Sequence, residues 1–294
     1  MSWVDTMTMG GISSLQKLHA YAWGHRDKRV DNWALMWSIY PTLFIILCYL
    51  ILIKIIGPYF MKNRKPFEFK NIMQFYNAFQ VGFSFWLFYY GISLGWATHY
   101  NWVCQPVEKD ATPNSLPMQM AEMVWWYYFS KFTEFVDTII FVLRKKNNQV
   151  SFLHVFHHSS MPLFSWILLR WAPGGHETFG GVINALVHVF MYSYYFLSSL
   201  GPSIAPYLWW KKYLTIMQLI QFLLVLLKSS VILLGIVDCG FPWQISLMSL
   251  SIIIPFIGLF SNFFVVEYSK RKNAYLKKNN DPNSNYLVDI KKSS

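Results

Sequence analysis

Apolar residues in this chain gather into seven long runs, at about 33–56, 71–96, 120–143, 152–171, 180–200, 212–235 and 244–267, parted by polar stretches. Each run is roughly 20 residues or more, the length a helix needs to cross a bilayer core. A backbone in lipid must satisfy its own hydrogen bonds, so runs of this length read as helices. The pattern predicts an all-α polytopic membrane protein with seven transmembrane helices over 33–267. Residues 1–32 form a separate polar segment, amphipathic at most, without the apolar core of a cleavable signal peptide. Residues 268–294 turn polar again, with Asn279-Asn280-Asp281-Pro282-Asn283 at their centre, and predict a disordered tail. No internal repeat or second domain is visible.

Composition agrees: 54% of residues are hydrophobic and 19% aromatic, which excludes an ordinary soluble domain. The Trp and Tyr excess reads mainly as interfacial belt and helix packing. A net charge of +11 would suit a nucleic-acid partner, but its distribution argues against one. The cations cluster in alternate connections: Lys62, Arg64, Lys65 and Lys70, then Arg144, Lys145 and Lys146, then Lys211 and Lys212, then the tail. The bias of basic loops towards the cytosol places these connections and the C-terminus there, and the N-terminus on the lumenal side. Lys17, Arg26, Lys28 and Arg29 dissent from that assignment. The basic side would contact anionic lipid and attract anionic substrates. Cys104 and Cys239 fall in connections assigned to the lumen, where a bridge between them and two free thiols are both open readings. Lys291 and Lys292 precede the last two residues, the pattern of a cytosolic dilysine retrieval signal of the endoplasmic reticulum.

Polar residues inside the runs carry the chemistry, because ionisable groups at bilayer depth are costly and usually functional. The third run holds Lys131, Glu134, Asp137 and Thr138, with Lys131 and Glu134 three apart and Glu134 and Thr138 four apart. The fourth holds His154, His157 and His158, whose spacing predicts one shared helix face. Asn184, His188 and Tyr192 step by four along the fifth, and Thr215, Gln218 and Gln221 by three along the sixth. Pointing inward together, they would line a polar chamber. The amides would position groups, since they do no proton chemistry. Lys131 with Glu134 reads equally as a charge pair that fixes packing. Glu122 and Lys228 also lie within runs and take no role beyond pairing or snorkelling.

A His-x-x-His-His box invites a di-iron site, as in membrane desaturases and hydroxylases. Of eight histidines, however, His19, His25, His99 and His176 fall in the terminus or in lumenal connections, and no second His-rich box exists. A mononuclear zinc site from the remaining four stays open. Without a metal, no Ser or Cys sits in a nucleophile setting, and imidazole itself is the candidate, since it attacks thioesters to give a reactive acyl-imidazole.

Four motifs in order give the chain a close resemblance to the fatty acid elongase family, the membrane 3-ketoacyl-CoA synthases of the endoplasmic reticulum. They are Lys131-x-x-Glu134-x-x-Asp137-Thr138, Phe152-Leu153-His154-x-x-His157-His158, Asn184-x-x-x-His188-x-x-Met191-Tyr192-x-Tyr194-Tyr195 and Thr215-x-x-Gln218-x-x-Gln221. The resemblance implies seven helices, six of them ringing a narrow acyl tunnel closed at the lumenal end. It implies an acyltransferase that condenses a long-chain acyl-CoA with malonyl-CoA, releasing carbon dioxide and CoA, with no metal or redox cofactor. His157 is the expected nucleophile and His188 handles decarboxylation or the enolate, while His154, His158, Asn184, Lys131, Glu134 and Asp137 orient them. Tyr192, Gln218 and Gln221 complete the substrate-binding set. Phe156 leans towards saturated and monounsaturated chains. The partners implied are the two CoA substrates, membrane lipid, a second copy as a homodimer and the other enzymes of the elongation cycle, with no nucleic acid.

Overall fold

The computed structural model describes residues 16–17 and 20–279, with side chains to residue 268. Within that range the chain forms eight long or medium helices, connected by turns and short 3-10 segments, with no strand. They are α1 (Tyr40–Met61), α2 (Lys70–Gly91), α3 (Leu116–Thr133), α4 (Phe135–Leu143), α5 (Phe152–Trp171), α6 (Thr178–Ser199), α7 (Lys211–Leu233) and α8 (Trp243–Asn279). Four of them, α1, α6, α7 and α8 to Tyr268, are long and apolar enough to cross a membrane. Lys291 and Lys292 lie outside the described residues, as does much of the N-terminal segment.

Helix boundaries depart from the apolar runs in ways the local chemistry explains. The first run begins at 33, but residues 33–39 make turns and α1 starts at Tyr40, with Pro41 in the first turn, where its missing N–H costs nothing. A π-helical stretch, Leu52–Ile56, lies inside α1, and another, Ile92–Trp96, extends α2. The third run is two helices rather than one. It breaks at Glu134, where Asp137 N–H reaches back only three residues, to the Glu134 carbonyl. The predicted disordered tail is also shortened at its start, since α8 continues to Asn279.

Packing joins the helices into a closed cycle, in which α2 contacts α6, α6 contacts α7, α7 contacts α8, α8 contacts α5, α5 contacts α3, and α3 returns to α2. Helix α1 lies beside this cycle, against α4 and α5. The α2–α6 contact is extensive because Gly91 has no Cβ; one added there would stand 2.5 Å from Val182 Cγ2 and 3.1 Å from Met123 Cε.

Basic connections gather at one end of the cycle and the cysteines at the other. Cys104, from the α2–α3 connection, is joined to Cys239, from the α7–α8 connection, by a disulfide. Two of the N-terminal cations that dissent from the charge pattern, Arg26 and Arg29, are neutralised locally at this second end. Arg29 pairs with Asp27 at 2.8 Å, and Arg26 and the buried Arg170 pair with Asp31 at 3.0 and 2.8 Å.

Candidate active site

Helix α5 is phased by its first residue. Ser151 adopts an extended conformation and its Oγ accepts the His154 N–H at 3.2 Å, so the helix starts at Phe152 and the histidines follow within two turns. Ten residues on, Pro162 sits inside the helix and cannot donate to the His158 carbonyl.

The three histidines form one cluster on α5, joined through the ring of His158. At about 100° per residue, His154 and His158 stand about 40° apart, but His157 and His158 about 100°. His154 and His158 accordingly overlap, with ring centroids 4.1 Å apart, and His154 Nε2 lies 2.8 Å from Thr138 Oγ1 on α4. His157 has its ring 5.3 Å from that of His158 and 5.2 Å from that of Phe256 on α8, and lines a cavity of about 50 Å³. No hydrogen bond ties its imidazole among the described residues. His158 Nδ1 is buried and also lacks a partner.

Behind the histidines lies a buried polar hub. Lys131 Nζ donates to Glu134 Oε1 at 2.6 Å and to Asn184 Oδ1 at 3.2 Å, and sits 4.4 Å above the Tyr127 ring. The same Glu134 oxygen is 3.2 Å from His188 Nδ1, so one carboxylate bridges the ammonium and the imidazole. Lys131 and Glu134 are 2% and 3% exposed, a burial tolerated only because each charge has partners. Asn184 Nδ2 faces Gln221 Oε1 at 3.5 Å, the long limit of a hydrogen bond. Asn184, Gln221 and His157 line the same cavity.

Four predicted residues, Thr138, Asp137, Tyr192 and Gln218, fall outside this hub. Thr138 turns away from Glu134 and lies between Tyr49 Oη at 2.9 Å and His154, because the chain breaks at Glu134. Asp137 accepts from Tyr192 Oη at 2.7 Å and lines a different cavity of about 110 Å³, shared with Asn77, Arg144 and Tyr195 at the basic end. Gln218 approaches only Met191 Sδ, at 3.9 Å.

Several site residues were not singled out from the sequence. Tyr127 donates to Asn184 Oδ1 at 3.0 Å, and its place four residues before Lys131 could have marked it. Tyr49 on α1 and Phe256 on α8 carry no such signal, since each is one aromatic in an apolar run.

Among the described residues, no three His, Cys, Asp or Glu side chains converge as metal ligands do. Comparison with known proteins bears on what this site serves. Residues 34–275 match ELO, the GNS1/SUR4 family. The chain belongs to that family. It is 47% identical to very long chain fatty acid elongase 7 of Drosophila melanogaster, over 83% of this chain and 74% of the relative. A very long chain fatty acid elongase of Aedes aegypti is 45% identical, over 88% and 72%. Very long chain fatty acid elongase 5 of Tachysurus fulvidraco is 39% identical, over 91% and 87%. These relatives do not favour the desaturase or hydroxylase alternative.

Proposed function

We propose that this protein is a fatty acid elongase that condenses a long-chain acyl-CoA with malonyl-CoA, working as a very-long-chain 3-oxoacyl-CoA synthase. One observation carries the reading within the family: His157 is held without a hydrogen-bond partner on the wall of a mainly apolar cavity that it shares with Asn184, the residue Lys131 of the hub donates to. The acyl chain occupies this cavity, the tunnel of a seven-helix bundle in which six helices form the ring; the closed cycle of helix contacts supports that reading.

In this reading a His157 ring nitrogen attacks the thioester carbonyl. The C–S bond breaks as the N–C bond forms, and the imidazole proton leaves with the CoA thiolate as a thiol. Malonyl-CoA then loses carbon dioxide, and the electrons of the broken C–C bond become an enolate. The enolate displaces the imidazole, which takes one proton from solvent, giving a 3-ketoacyl-CoA two carbons longer. His188, oriented by Glu134, meets the enolate. His154 and His158 buttress α5, and Tyr192 holds the Asp137 carboxyl on the wall of the second cavity. No metal or redox cofactor takes part. The protein sits in the endoplasmic reticulum membrane with its basic connections cytosolic, where two anionic CoA substrates approach in turn, and its disulfide lumenal.

The test is microsomes containing the protein, given labelled malonyl-CoA and acyl-CoAs of several lengths. Acyl-CoA alone should leave an adduct on the peptide containing His157 with a stoichiometric burst of CoA. His157→Ala should lose burst and turnover, whereas His188→Ala keeps the burst and fails afterwards. A full burst from His157→Ala would place the nucleophile elsewhere, and no two-carbon extension of any acyl-CoA would overturn the reading.

A further inference from the structure

The cavity beside His157 has a far end that the reaction does not use. Its lining follows α5 from His157 through Met161 and Phe164 to Leu168 and reaches Glu177, Gly180 and Ser249. Eleven residues at 1.5 Å each put that end about 16 Å from the histidine. Between them the walls are apolar, chiefly Phe222, Val225, Ile252 and Ile253.

At the end itself the chemistry changes. Glu177 is 6% exposed, and three serines from two other helices donate to it. Ser249 of α8 donates to Oε2 at 2.7 Å, Ser229 of α7 to Oε2 at 3.1 Å and Ser246 of α8 to Oε1 at 2.8 Å. Ser229, Ser246 and Ser249 are at most 2% exposed, so this end is shut from the surface. The carboxyl is set there by its backbone. Gly175, at φ +72°, turns the chain into α6, and its Cα faces the Pro106 carbonyl so closely that an added Cβ would stand 2.7 Å from that oxygen. The nearby cation is directed elsewhere, because Lys228 Nζ donates to the Trp102 carbonyl at 2.7 Å and lies over the Trp96 ring. The carboxyl thus has serine partners instead of a salt bridge.

We propose that Glu177, with Ser229, Ser246 and Ser249, is the specificity-determining end of the acyl cavity and favours chains whose far terminus carries a hydroxyl over methyl-ended chains of equal length. Oε1 accepts one serine and Oε2 two, so the carboxyl retains acceptor capacity on Oε1. A terminal hydroxyl that reaches it donates to Oε1. A terminal methyl brings apolar surface against a polar group and returns nothing for the water it excludes. Discrimination of this kind exceeds what one methylene earns in an apolar slot. Gly180 and Gly181, beside it, carry no side chain to narrow this end; a Cβ on Gly180 would already stand 3.3 Å from Val225 Cγ2.

This inference rests on the acyl-CoA reading, and its test separates the two. Microsomes with the full chain receive labelled malonyl-CoA and matched pairs of acyl-CoAs, methyl-ended and terminally hydroxylated, at rising length. Short pairs that stop before Glu177 should be extended equally. At the length that reaches it, the hydroxylated member should lead by about tenfold or more in kcat/KM. Glu177→Leu and, separately, Ser249→Ala should shrink that lead or reverse it while leaving the short pairs unchanged, which also shows that each variant folds. Equal use of both members at every length, or a lead that survives Glu177→Leu, overturns the inference but leaves the elongase standing. Failure to extend any acyl-CoA overturns the elongase itself.

Discussion

Glu134 holds two partners at once, and its loss would strand both. Glu134→Gln leaves Lys131 buried without a counter-charge, so it should cost about 3–5 kcal/mol of stability and abolish turnover. Replacing both members (Lys131→Met with Glu134→Leu) should recover most of that stability in a thermal melt but none of the activity, because His188 then loses the oxygen that orients it. His176 sets a different test, at the disulfide end outside the spans. Burial pushes its imidazole down to about 4, its Nε2 contacts the Lys228 carbonyl at 2.9 Å, and its buried Nδ1 has no partner for a proton. A folded pKa below the unfolded 6.5 gives stability that is full above pH 6.5 and lost as pH falls through about 4. Melting temperature should therefore drop on acidification across that window, and less so in His176→Gln.

At the scale of elements, the α2–α6 contact rests on a missing side chain. Gly91→Leu would drive a Cβ into Val182, so overpacking should cost about 1–3 kcal/mol and lower the melting temperature, whereas the same change at Gly82, with nothing within 4 Å, should not. The histidine helix shows the opposite dependence, on a capping residue. Ser151→Ala removes the oxygen that accepts the His154 N–H and should cost about 1 kcal/mol. It should also lower kcat more than it raises KM, since the first turn fixes where His157 points.

For the whole molecule, the Cys104–Cys239 disulfide ties together two connections 135 residues apart in sequence. Cys104→Ser with Cys239→Ser should lower thermal stability by roughly 2–4 kcal/mol. The loss should appear in wild-type protein melted with reductant and be absent from the double variant under the same treatment. That end also carries the Asp31 pairs with Arg26 and Arg170, so high salt should add a small further loss at partly exposed Arg26 and little at buried Arg170.

Period and length alone determined the helical, membrane-spanning class of this protein, because a bilayer admits few ways to bury a backbone. They also marked nearly every polar residue of the hub, since Lys131, Glu134, Asn184 and His188 are conspicuous against apolar surroundings. Sequence could not determine which neighbours these residues find. The break at Glu134 is one backbone turn, yet it sends Thr138 to Tyr49 and His154 instead of to the carboxylate. The His box reads as one motif, but only the approach of α4 and α8 gives His154 the Thr138 hydroxyl and sets His157 against Phe256. Glu177 reads as one acid in a polar connection, and only the approach of α7 and α8 supplies the three serines that make it the end of a cavity. Local spacing is set by covalent geometry and so is written in the chain; contacts between helices depend on packing summed over the whole bundle.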